Sequence, residues 1–197
     1  SVSPAETTSE RERLFEALKT AKTEREGRLA ENAIWNWWLD QAPTREVRAS
    51  IDHGMKRRES YDFEAAEEAF DEAIEKAPDY AEGWNQRAYI SFLREDYEAA
   101  LVDLDRALAL QPRHVAAQSG RGLTLMNMGR IAEARTQMLE AVANNPWLSE
   151  KALLADGAPL GASGAPLNLP DGKATFHDLG AAMADLHLIS DRWTLDH

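Results

Sequence analysis

The sequence predicts an all-α fold, a solenoid of stacked helix–turn–helix units. Three observations predict it. Pro78, Pro112 and Pro146 recur at a constant step of 34 residues. The same step carries Ala66 to Ala100 and Ala134, and Ala73 to Ala107 and Ala141. Large side chains keep it too: Phe70, Leu104 and Met138 form one column, and Phe63, Tyr97 and Ile131 another. Gly54, Ala88 and Gly122 complete a column of small residues. A fixed period of this length marks units that cannot bury their own apolar face and must stack.

Each column has a task. A small residue at Gly54, Ala88 or Gly122 lets the first helix of a unit approach the second. Ala66, Ala100 and Ala134 do the same from the second helix, and the large residue four later fills the space between them. Phe63, Tyr97 and Ile131 plug the turn, and each proline ends the second helix.

Ahead of the repeats, residues 1–8 read as a polar, flexible lead. Ser9 to Glu12 and Thr23 to Glu26 fit capping boxes, so two helices are expected to start there. Phe15 and Leu18 mark the apolar side of the first helix. The second is strongly apolar through Leu29, Ile34, Trp35, Trp37, Trp38 and Leu39, and is expected to end near Ala42 and Pro43. This pair, 9–43, is expected to stack on the first repeat as a degenerate further unit. The tryptophans either pack against that repeat or present an aromatic surface to a partner.

Residues 44–155 are expected to hold three repeats and a capping helix near 147–155 that covers the open end of the stack. Residues 156–173 are rich in Gly, Ala and Pro and read as a linker. Residues 174–197 hold a last helix and tail. Phe176, Leu179, Met183, Leu186 and Ile189 share one face there at helical spacing. This segment reads as an extra cap, as an occupant of its own or a neighbour's groove, or as a tail that folds on a partner.

Composition removes several functions. The 197 residues carry 34 acidic against 22 basic side chains, a net charge of −12. Nucleic acid and anionic membrane surfaces need a basic face, so neither is expected as a partner. No apolar run approaches the roughly 18 residues of a membrane span. The chain has no cysteine, which excludes disulfides, thiolate catalysis and Cys-type zinc sites. No nucleophile motif, phosphate-cradling loop or dinucleotide fingerprint occurs. His177, Asp178, Asp185, His187, Asp191, Asp196 and His197 fit no zinc spacing. On one helix His177 and His187 sit about 80° away from a whole number of turns. No catalysis, metal or cofactor is therefore expected. His53 and His114 lie beside repeat columns and read as structural.

The pattern resembles the tetratricopeptide repeat, over Val47–Pro78, Ala81–Pro112 and Val115–Pro146. The middle unit, AEGWNQRAYISFLREDYEAALVDLDRALALQP, carries Trp84, Ala88, Ala100, Ala107 and Pro112 in register. The first and third units hold Ser50 and Gln118 where the middle has Trp84. The arrangement is also similar to short stand-alone repeat proteins of bacteria, especially alphaproteobacteria, which implies no reaction.

The resemblance implies a concave groove lined by the first helix of each repeat. The middle repeat then offers Asn85, Gln86, Tyr89, Phe92 and Leu93. The third offers Ser119, Leu123, Met126 and Asn127, and the first Arg48, Asp52, Met55 and Arg58. Aromatic rings with Met give adaptable contact area, and Asn and Gln can pair with a peptide backbone. The plain alternative is that some of these side chains only pack between repeats. The carboxylate clamp of chaperone-binding members is not reproduced. Its positions hold Ile51, Met55, Gln86, Ala116 and Gly120, of which only Gln86 could serve.

Arg45, Arg48, Lys56, Arg57 and Arg58 form a basic island that suits carboxylates of a partner or of the chain's own tail. The expected function is thus a non-catalytic module that binds a peptide or helix. The competing expectation is a structural or assembly-factor subunit acting through self-association, with the tail docked in a groove. The chain starts at Ser1 without an initiator methionine, as trimming or removal of a signal peptide would leave it. With the likeness to exported bacterial proteins, this favours the bacterial envelope over the cytoplasm.

Overall fold

The computed structural model describes residues 3–157. Among them are eight α-helices: α1 Pro4–Thr20, α2 Glu24–Asp40, α3 Arg45–Glu59, α4 Phe63–Lys76, α5 Ala81–Leu93, α6 Tyr97–Leu110, α7 Val115–Asn127 and α8 Ile131–Asn144. A 3₁₀ helix, Ser149–Gly157, follows at the expected capping position. The linker 156–173 and the tail 174–197, with their histidines and aspartates, lie outside the described residues beyond Gly157.

The repeat columns do what their chemistry requires. α3 pairs with α4, α5 with α6 and α7 with α8, and each second helix packs on the first helix of the next unit. A Cβ on Gly54 would run into the Phe70 ring, and one on Gly122 into Met138, so these helices cross where a side chain is missing. Ala66, Ala100 and Ala134 are buried, as are Ala73, Ala107 and Ala141. Asp62 and Asp96, one period apart, accept from the backbone N–H of Ala65 and Ala99 and so cap α4 and α6.

A further column emerges at the turn inside each unit. Tyr61, Glu95 and Gly129 all have positive φ, of 60°, 63° and 76°. The left-handed turn reverses the chain in every repeat, but only the third unit fills it with the residue that adopts it without cost.

The N-terminal pair departs from expectation in two ways. First, α1 starts at Pro4, a residue suited to a first helical turn, and not at Ser9. Residues 4–8 of the expected lead are therefore helix. At α2 the expected cap holds: Thr23 accepts from Glu26 N–H.

Second, the pair does not stack ahead of the first repeat as a degenerate unit. Instead α2 lies across the loops that join the repeats. Read backwards, it meets them in order. The Leu39 carbonyl accepts from the Tyr80 hydroxyl at 2.7 Å. Trp38 stacks on His114, with centroids 4.8 Å apart. Glu31 accepts from Asn145 at 2.6 Å. Arg28 donates to the Trp147 carbonyl at 2.9 Å and to Ser149 Oγ at 3.2 Å. Gly27 has no room for a side chain against the Trp147 indole.

The reason is apolar burial. The polar outer face of α3, with Arg45, Glu46, Ala49, His53, Lys56 and Arg57 exposed, offers nothing for tryptophans to cover. The loop edge offers Tyr80, Ala77 and Leu148. Trp35, Trp37 and Trp38 are all buried, as packing of the pair required.

Candidate functional site

The first helices α3, α5 and α7 line up side by side, as a groove wall requires. A chain of buried polar side chains crosses this wall from one repeat to the next. Arg58, at the end of α3, donates to Gln86 Oε1. Its guanidinium also lies 4.7 Å over the Tyr89 ring. Gln86 Nε2 donates to Glu82 Oε2 at 3.2 Å. Glu82 Oε1 meets His114 Nε2. His114 Nδ1 in turn accepts from Ala117 N–H and so caps α7.

The cap assigns the imidazole. With Nδ1 accepting, the proton sits on Nε2 and is donated to Glu82. Arg58 and Glu82 balance one another in charge, and Gln86 bridges them. All four side chains are at most 3% exposed. A buried charge is tolerated only when paired and hydrogen-bonded in this way.

This chain takes Gln86 out of the expected binding set. Both ends of its amide are engaged within the wall. Arg58 is a wall residue for the same reason. Arg48 is held by Asp40 at 2.6 Å and by Asp52 at 3.1 Å. Arg57 lies 4.0 Å from Asp62. The basic island is therefore engaged with the chain's own groups at these three arginines. Ser119 donates to Glu150 of the 3₁₀ helix at 2.8 Å, and Asn127 donates to the Leu123 carbonyl at 2.9 Å.

Tyr89, Phe92, Leu123 and Met126 are buried as well, while Met55, Leu93 and Asn127 are half-buried. Phe92 meets Tyr97 edge-on, with centroids 5.6 Å apart. Asn85 differs from its neighbours. It is fully buried on α5, and neither its amide nitrogen nor its amide oxygen has a hydrogen-bond partner. An amide in that state costs stability in the folded protein.

Sequence reasoning missed Glu82 and His114 as the centre of the wall. It also missed Arg113, which donates to Glu12 at 2.9 Å and lies 3.8 Å over the Phe15 ring. Among the described residues no group of His, Asp and Glu side chains is placed to hold a metal ion. No helix among them is long and apolar enough to cross a membrane.

Two tetratricopeptide repeat profiles match, over residues 51–106 and 91–147. The helical hairpins are tetratricopeptide repeats. The chain is 32% identical over 118 residues to a TPR repeat-containing protein of Rhizobium etli, covering 60% of this chain and 57% of that one. It is 42% identical over 64 residues to a tetratricopeptide repeat protein 36 homolog of Nematostella vectensis, covering 32% and 35%. The chain thus spans little more than half of the first relative and about a third of the second. Among solved structures, MamA superposes with a TM-score of 0.53 at 15% identity, over 98% of both chains. At that identity the likeness is one of fold alone.

Proposed function

We propose that this tetratricopeptide repeat protein is a non-catalytic interaction module that holds a peptide or helix of another protein against its concave face. The repeats supply the scaffold, and Tyr89, Phe92, Leu93, Leu123 and Met126 supply an aromatic, aliphatic and thioether surface. The observation that carries the reading is Asn85. A fully buried amide with no partner on the groove-lining helix suits the backbone N–H and C=O of a bound segment, which must first open this closed face to reach it. Its environment would then be complete only in the complex.

The test is Asn85→Leu in the full chain. Removing an unmatched amide leaves thermal stability unchanged or raises it, because no hydrogen bond is lost. Capture of the partner in a pull-down from the native cell falls. Capture that persists with the fold intact contradicts the reading.

A second reading has its own support. Tyr89, Phe92, Leu123 and Met126 are between 3% and 6% exposed, so the face is not open to solvent. This favours a groove filled by a segment of the same chain or of a neighbouring copy, with the amphipathic sequence 174–190 as the candidate. Light scattering on the full chain across a concentration series separates the two copies' case. A mass independent of concentration removes the neighbour.

A further inference from the structure

We infer that the N-terminal pair α1–α2 is a releasable cover of the concave face, an autoinhibitory contact that swings away when a segment binds there. The inference rests on the concave-face reading and names what closes that face beforehand. The hinge is the short connection 41–44, between the end of α2 at Asp40 and the start of α3 at Arg45. A few loop residues of this kind absorb the rotation of a hinged element.

The cover is continuous with what it hides. Phe15 and Leu18 of α1 and Trp35 and Trp38 of α2 belong to one apolar core with Tyr89, Phe92, Leu123 and Met126. α2 packs directly on α5. Trp38 lies on His114, and His114 meets Glu82, one turn before Asn85 on α5. α2 thus stands over the first two turns of α5, where Asn85 is.

This boundary is held unlike the boundaries between repeats. Those carry matched polar ties: Arg87 with Asp71 and Asp103, and Arg121 with Asp105 and Gln137. On the pair, Arg11 Nε, Trp35 Nε1 and Trp38 Nε1 are buried without an acceptor, and across from it the Asn85 amide has no partner on either atom. Each such group is desolvated with no return, so each favours the state in which water or a ligand reaches it. The outlying tie of Glu12 to Arg113 is exposed, and a tie of that kind exchanges with water at little cost. Burial of the indoles keeps the resting state closed. The unmatched groups keep the closed state from being locked, as an element that moves requires. A bound segment tips the balance by supplying groups for Asn85 while water takes the indole N–H groups.

The chain has no cysteine, so a single engineered thiol reports its own burial. In the full chain, Asn85→Cys and Ala107→Cys are labelled with DTNB under native conditions. Ala107 lies inside the second repeat and is fully buried. Position 85 is expected to label about 100-fold faster than position 107, with a shallower rise in urea, as local opening requires. Should Ala107→Cys fail to fold, Ala73→Cys, one period earlier and equally buried, replaces it. Glu12→Cys and Arg113→Cys, joined by a short bis-maleimide before labelling, are expected to bring position 85 down to the rate of position 107. Equal rates and slopes at the two positions, or fast labelling at position 85 that survives the tether, overturn the proposal. No partner takes part in this test. A pair that opens while Asn85→Leu still captures its partner therefore sinks the concave-face reading alone.

Discussion

Trp38 stacks on His114, with ring planes 22° apart and centroids separated by 4.8 Å. One residue lies near the end of a helix that precedes every repeat. The other caps the first helix of the third repeat. Through this contact the N-terminal pair fastens the solenoid along its loop edge and does not extend it by another unit.

Removing the ring tests that fastening. Trp38→Ala is expected to cost about 3–5 kcal/mol in chemical denaturation, as truncation of a large buried aromatic does. Amide exchange should rise first in the opening turn of α7, whose cap is His114. A loss confined to α1 and α2, with α7 unaffected, would show that the pair is merely attached.

The His114–Glu82 pair is expected to be coupled. His114→Leu strands a buried carboxylate and costs about 3–5 kcal/mol, while Glu82→Leu strands an imidazole N–H and costs about 1–3 kcal/mol. The double variant costs less than the sum, with a coupling of about 1–3 kcal/mol in a double-mutant cycle. Additive losses would mean that the two side chains act separately.

Tyr61 is 83% exposed and sits at φ 60°. A side chain in the left-handed region costs roughly 1–2 kcal/mol. Its ring contact is an edge-on approach to Phe63 at 6.2 Å. Tyr61→Gly is therefore expected to raise stability by about 1 kcal/mol, read as a higher melting temperature. A lower one would assign the ring a packing role.

Acid should loosen the other end of the clasp. The Arg113 guanidinium, by hydrogen bonding, holds the Glu12 carboxyl below the usual glutamate range. A carboxyl with a lowered folded pKa contributes stability above its unfolded value near 4.5, and that contribution is lost as pH falls through the folded value. Glu12→Gln should accordingly flatten the stability profile on the acid side of pH 4.5 while leaving its shape near neutrality unchanged. An unaltered acid limb would dismiss the contact.

The repeat was legible because its contacts recur. Gly54 against Phe70 and Gly122 against Met138 are one contact made twice at a fixed period. The left-handed turn was equally periodic, but Tyr61 and Glu95 disguise a position that only Gly129 announces. The clasp and the buried wall left no such trace. His114 shares its column with Tyr80 and Leu148, and Glu82 shares its own with Arg48 and Ala116. Neither residue type repeats, and their partners come from distant parts of the chain. Within the proposed groove set, spacing could not separate Asn85, left without partners, from Gln86, which is fully engaged.

Photo-crosslinking at the concave face tests the central claim most directly. A benzoylphenylalanine in place of half-buried Leu93 is introduced into the full chain in the native cell, with Val102, 67% exposed on α6, as the control position. The account predicts an adduct with a second, different polypeptide from position 93 and none from position 102. Irradiation that yields only unmodified chain at position 93, or the same adducts from both positions, would contradict it.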